Sequence, residues 1–66
     1  MDIPVTEWHL VAMTLSGRPV QYNVKAHDEV KAIIAVARLT RKDKDLGSIK
    51  AINVIARRVD DGPWIY

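Results

Sequence analysis

Two histidines, His9 and His27, are the first residues to weigh for chemistry, because imidazole moves protons and binds metals near neutral pH. They lie far apart in the chain, and neither has a companion at metal-ligand spacing. His27 stands directly before Asp28 and reads better as a solvated residue ahead of a helix cap. Asp60 and Asp61 resemble a carboxylate pair for acid–base work. Gly62-Pro63 follow them, and that composition belongs to a turn. The chain has no Gly-rich phosphate loop, no HExxH and no nucleophile elbow. It has no cysteine, hence no disulfide framework and no thiolate metal site. The expectation is a non-enzymatic protein with no catalytic residues, no metal and no cofactor.

Cationic side chains offer a second chemistry. Arg38, Arg41, Lys42 and Lys44 cluster, and Arg57-Arg58 come later. Such residues can track phosphates, and Trp8, Tyr22, Trp64 and Tyr66 could stack on bases if exposed. In a nucleic-acid-binding protein the contacts would be Arg41, Lys44, Arg57 and Arg58. Against this, the first cluster answers a helix dipole and can pair with Asp43 and Asp45. On a strand, Arg57 and Arg58 point to opposite faces. Ten basic and eight acidic side chains leave a net charge of +2, weakly basic and contrary to a DNA mimic.

The elements that must position these residues follow from periodicity. Residues 6–15 form a first strand with Trp8, Leu10 and Ala12 on one face and Val11, Met13 and Leu15 on the other. Ser16-Gly17-Arg18-Pro19 is the turn, with Gly17 at positive φ and Pro19 at the next strand start. A two-residue loop sets Met13, Val11 and His9 opposite Val20, Tyr22 and Val24. A three-residue loop sets Ala12, Leu10 and Trp8 there instead and buries Trp8, so it is favoured.

Val20, Tyr22, Val24 and Ala26 alternate with polar residues, and at Asp28 the period becomes helical. Asp28 is the expected N-cap, with Glu29 in the first turn. Val30, Ile33, Ile34 and Ala37 are expected to face the sheet, forming a core with Val20, Tyr22, Val24, Ile52 and Val54. Thr40, Val36, Ala32, Leu39 and Ala35 extend the apolar arc beyond what one sheet requires. That excess marks contact with protein. The expected partner surface is Ala35, Val36 and Leu39 with Arg38 and Lys42, facing a bacterial protein complex or a second copy of this chain.

Residues 48–59 admit two readings. As a helix they give Ile49, Ile52, Ile55, Ala56 and Val59 one face, and Lys50, Asn53 and Arg57 the recognition face of a helix-turn-helix. As a strand they point Ile52, Val54 and Ala56 inward, and Asp60-Asp61-Gly62-Pro63 then turns into a short strand at Trp64-Ile65-Tyr66. The strand is favoured. The expected fold class is α+β: an antiparallel sheet of three or four strands with one helix on one face, in the order β-β-α-β.

Sixty-six residues make one small domain. No apolar run approaches the roughly 20 residues of a membrane span, so no membrane partner is expected. Met1-Asp2-Ile3-Pro4 lacks the marks of a signal peptide. These features fit a cytoplasmic protein, and the lack of cysteine fits a reducing compartment.

The pattern Trp8…Val20-x-Tyr22-x-Val24-x-Ala26-x-Asp28-x-x-x-Ala32…Ala35, followed by a late strand, resembles the bacteriophage inhibitors of bacterial RNA polymerase. It is similar as well to compact anti-CRISPR proteins that combine one helix with an antiparallel sheet. The resemblance implies a phage-encoded, cofactor-free protein that docks on a large host complex and inhibits it. The helix here is apolar and basic, where that of the polymerase inhibitors tends to be acidic.

Overall fold

The computed structural model describes residues 5–66. Met1-Asp2-Ile3-Pro4, read above for a leader, lies outside the described residues.

A hairpin opens the fold, with β1 (Thr6–Thr14) and β2 (Pro19–Ala26) paired antiparallel. The register is that of the three-residue loop. Trp8 lies opposite Val24, Leu10 opposite Tyr22 and Ala12 opposite Val20. Thr14 N–H donates to the Arg18 carbonyl at 3.0 Å and Gly17 N–H to the Thr14 carbonyl at 2.9 Å. Gly17 has φ 89°, a left-handed conformation that a Cβ disfavours. The Thr14 hydroxyl accepts from Arg18 N–H at 2.9 Å and closes the loop.

Asp28 caps the helix α1 (Glu29–Lys42), its carboxylate accepting Lys31 N–H at 2.8 Å. Glu29 sits in the positive first turn and Arg41 and Lys42 in the negative last turn. The chain then returns as β3 (Ile49–Val59), a strand antiparallel to β1. The sheet order is β2-β1-β3. This is an α+β fold of order β-β-α-β, and the helix-turn-helix reading of residues 48–59 does not hold.

The core comprises Trp8, Leu10 and Ala12 of β1 with Ala32 and Val36 of α1, flanked by Tyr22, Val24, Ala26, Ile33, Ile49, Ile52 and Val54. The buried Trp8 indole donates to the Ala26 carbonyl at 3.1 Å, satisfying its one polar atom. The helix is rotated from the expected orientation. Ala32, Val36 and Thr40, four residues apart, are its buried line, whereas Val30 is 66% exposed and Ile34 45%. Large side chains on the sheet, Trp8 and Leu10, fill the interior, so small residues on the helix meet them. Thr40 tolerates burial because its hydroxyl donates to the Ala37 carbonyl at 2.8 Å.

β3 pairs with β1 through two irregularities. The register shifts between His9 and Leu10 and between Met13 and Thr14, leaving Ile55 and Lys50 as extra residues. Ile52 and Val54 lie opposite Ala12 and Leu10, on the helix side. Beyond Ile55 the faces exchange: Ala56 lies opposite His9 and Arg58 opposite Glu7, on the outer face. The expectation that Ala56 points inward with Ile52 and Val54 is corrected by this bulge. Asp60 and Asp61 adopt left-handed conformations, φ 49° and 58°, and Gly62 N–H closes on the Val59 carbonyl at 2.9 Å. They are turn residues. Trp64-Ile65-Tyr66 contributes a single bridge, Ile65 to Arg57, in place of a further strand.

Candidate functional site

The fold splits the helix residues expected to meet a partner. Val36 is fully buried at the centre of the core, so it is withdrawn from that surface. Ala35 is half-buried, Leu39 is 43% exposed, and Arg38 and Lys42 are exposed. At about 100° per residue, Ala35 and Leu39 lie on one flank of α1 and Ile33 and Ala37 on the other. Val30 and Ile34 extend the second flank toward solvent. These two were assigned to the core from their period, yet they supply free apolar surface.

That second flank borders β3. Between them lies an open groove of about 560 Å³, lined by Ile33, Ala37 and Arg41 from α1 and Ile49, Lys50 and Ile52 from β3. Its aliphatic side chains share the lining with the polar groups of Thr40, Ser48, Arg41 and Lys50. Its two ionisable side chains, Arg41 and Lys50, are both cationic, and no carboxylate lines it among the described residues. Both cations sit near the carbonyl end of the helix, where positive charge is favourable. From the sequence, Lys50 has a role only in the helix-turn-helix reading. In the fold Lys50 and Arg41 line one groove, and local periodicity records neither the bulge at Lys50 nor the rotation of α1. The small-residue line Ala32-x-x-x-Val36-x-x-x-Thr40 was the available signal, since small residues permit close approach over a large tryptophan.

The cations proposed for nucleic acid are not gathered. Arg41 and Lys44 are at the end of α1, whereas Arg57 and Arg58 are near the other end of the sheet, about 20 Å along β3 from Lys50 at strand rise. Arg58 is engaged. Its Nε donates to Glu7 Oε1 at 2.6 Å, Nη2 lies 3.7 Å from Asp61 Oδ1, and the guanidinium stacks 4.8 Å from the Trp64 ring centroid. Arg57 lies opposite Trp8, on the helix side. Of the aromatics, Trp8 is buried, Tyr22 and Trp64 are half-buried, and Tyr66 is 91% exposed.

The histidines stay apart. His9 Nδ1 and Asn23 Oδ1 are hydrogen-bonded at 2.7 Å on the outer face, where the His9 ring meets the edge of Trp64 at 6.2 Å. His27 is exposed in the bend before α1. Among the described residues no three His, Cys, Asp or Glu side chains gather as metal ligands, and no helix is long and apolar enough to cross a membrane. Compared with family models, curated proteins and solved structures, the chain matches none.

Proposed function

We propose that this chain is a non-enzymatic interaction protein that docks on a bacterial protein or ribonucleoprotein complex through the side of the molecule formed by α1 and β3. One observation carries the reading: α1 keeps Val30 and Ile34 in solvent, and a groove partly lined by Ile33, Ala37, Ile49 and Ile52 opens between α1 and β3. Large apolar side chains left in water favour a partner that covers them. The resemblance carried by Trp8 through Ala35 supports a phage-encoded inhibitor acting in the bacterial cytoplasm. In the runner-up reading, a small basic nucleic-acid-binding module, Arg41 and Lys44 would lead.

The experiment compares a tagged chain with its Ile34→Glu variant in pull-downs from bacterial lysate, with circular dichroism on both. The variant should stay folded and lose the proteins that the parent captures, because docking would desolvate an unpaired carboxylate. Unchanged capture by a folded variant removes the α1–β3 side from the interface. Oligonucleotide binding with steep salt dependence, measured by fluorescence anisotropy, would support the nucleic-acid reading instead.

A further inference from the structure

We propose that the groove between α1 and β3 receives a short extended segment of a partner protein, which adds to the β3 edge as a further strand. Its apolar side chains would lie on the groove floor and its carboxylates at Arg41 and Lys50. This rests on the interaction reading and names the chemistry of the partner.

The sheet order leaves β3 with β1 on one side and an outer edge on the other. An outer edge presents backbone donors and acceptors ready for another strand. The molecule itself shows one backbone pair on this edge. Arg57 N–H donates to the Ile65 carbonyl at 3.0 Å, and Ile65 N–H returns to the Arg57 carbonyl at 2.7 Å, an antiparallel pair. Among the described residues this is the only pairing on that edge, so residues 49–55 remain open. The bulges at Lys50 and Ile55 bound the regular stretch to residues 51–54. Bulges of this kind keep long strands from pairing indiscriminately, which favours a short segment.

The groove lies on the helix side of the same stretch. Alternate side chains of an added strand would therefore enter it, while the others face away. A segment running antiparallel to β3 would place its later residues beside Ile49, near Arg41 and Lys50. Carboxylates there would meet two cations. A second copy of the chain fits poorly. β3 has no carboxylate, so a second copy of the strand laid on this edge would offer Arg41 and Lys50 no counter-charge. β2 is the weaker acceptor: it opens with Pro19, which has no N–H to donate.

Random heptapeptides displayed on phage and selected on the immobilised full chain test the inference. Selection should enrich alternating β-branched residues with Asp or Glu toward the peptide C-terminus. Replacing those acids with Lys in a selected peptide, or introducing Arg41→Glu with Lys50→Glu in the folded protein, should weaken binding by about tenfold or more. N-methylation along the peptide should alternate in effect. One phase should lose about tenfold and the next should lose little, because only alternate N–H groups face β3. Peptides without acidic bias, or a uniform N-methylation response, would overturn strand addition. So would displacement of the peptide by a single-stranded oligonucleotide, or a sedimenting dimer that excludes the peptide. Should any of these occur while Ile34→Glu still abolishes capture from lysate, the interaction reading survives and only the mode of docking is lost.

Discussion

The two edges of the sheet are built on different principles. β2 is tied to β1 by a three-residue loop, pairs with it without a register shift, and alternates exposed and half-buried residues throughout. β3 reaches β1 only after α1 and the turn that follows, and it pairs through two shifts. A local turn sets the register of β2, whereas side-chain fit against β1 and the helix sets that of β3. The regular edge seals one flank of the core. The irregular edge turns Ala56 and Arg58 to the outer face and leaves the groove beside α1. The open groove thus sits on the side where long-range packing has most freedom.

The contrast can be broken at its shared strand. Leu10, fully buried in β1 between the two edges, should cost about 2–5 kcal/mol when replaced by Ala. Chemical denaturation would show it, with both edges lost in one transition. A two-step unfolding would mean that the edges are separate cooperative units.

Gly17→Ala attacks the β2 edge alone. Its φ of 89° is left-handed, and a Cβ there should cost about 1–2 kcal/mol. Amide exchange should accelerate first along β2. A neutral Gly17→Ala would mean that the loop does not hold the register.

Glu7→Gln attacks the β3 side by loosening Arg58 from its partner at 2.6 Å. Both side chains are partly exposed, so the loss should be about 0.2–1 kcal/mol and should shrink in high salt. The ring contacts of Trp64 with Arg58 and His9 make its fluorescence a direct readout. An unchanged spectrum would show that Arg58 keeps its place without Glu7.

Ile34→Glu should be the mildest for stability, about 0.5 kcal/mol or less at a position already 45% exposed. A larger loss by denaturation would return Ile34 to the core and close the α1–β3 surface. The same substitution is the one expected to abolish partner capture.

Much of this architecture was legible in residue order, and its limits are instructive. The hairpin register followed from burying Trp8 around Gly17, and the helix start followed from Asp28, because both depend on neighbours a few residues away. The face of α1 was misjudged by roughly one residue's rotation. Val30, Ile33, Ile34 and Ala37 are individually more apolar than Ala32 and Thr40, so periodicity weighted by hydrophobicity selected them. Packing selected size instead, with small helix residues fitting over large strand residues. Leu39 was correctly placed toward solvent, but Val36, chosen for the same surface, is central to the core. The groove could not be anticipated, because it joins residues of α1 and of β3 that are distant in the chain, and β3 is bulged at Lys50.

By itself the order of residues determined the first two strands and the helix, where the hairpin turns and where the helix is capped, and it favoured a strand for residues 48–59. These are short-range matters of backbone conformation, local hydrogen bonding and alternation. Only the tertiary structure decided that β3 joins β1 opposite β2, that Ala32, Val36 and Thr40 face inward, and that Ala56 and Arg58 turn outward. It alone decided that Val30 and Ile34 are exposed. Each of these depends on how volumes from distant parts of the chain fit together, and side-chain volume has no sequence period.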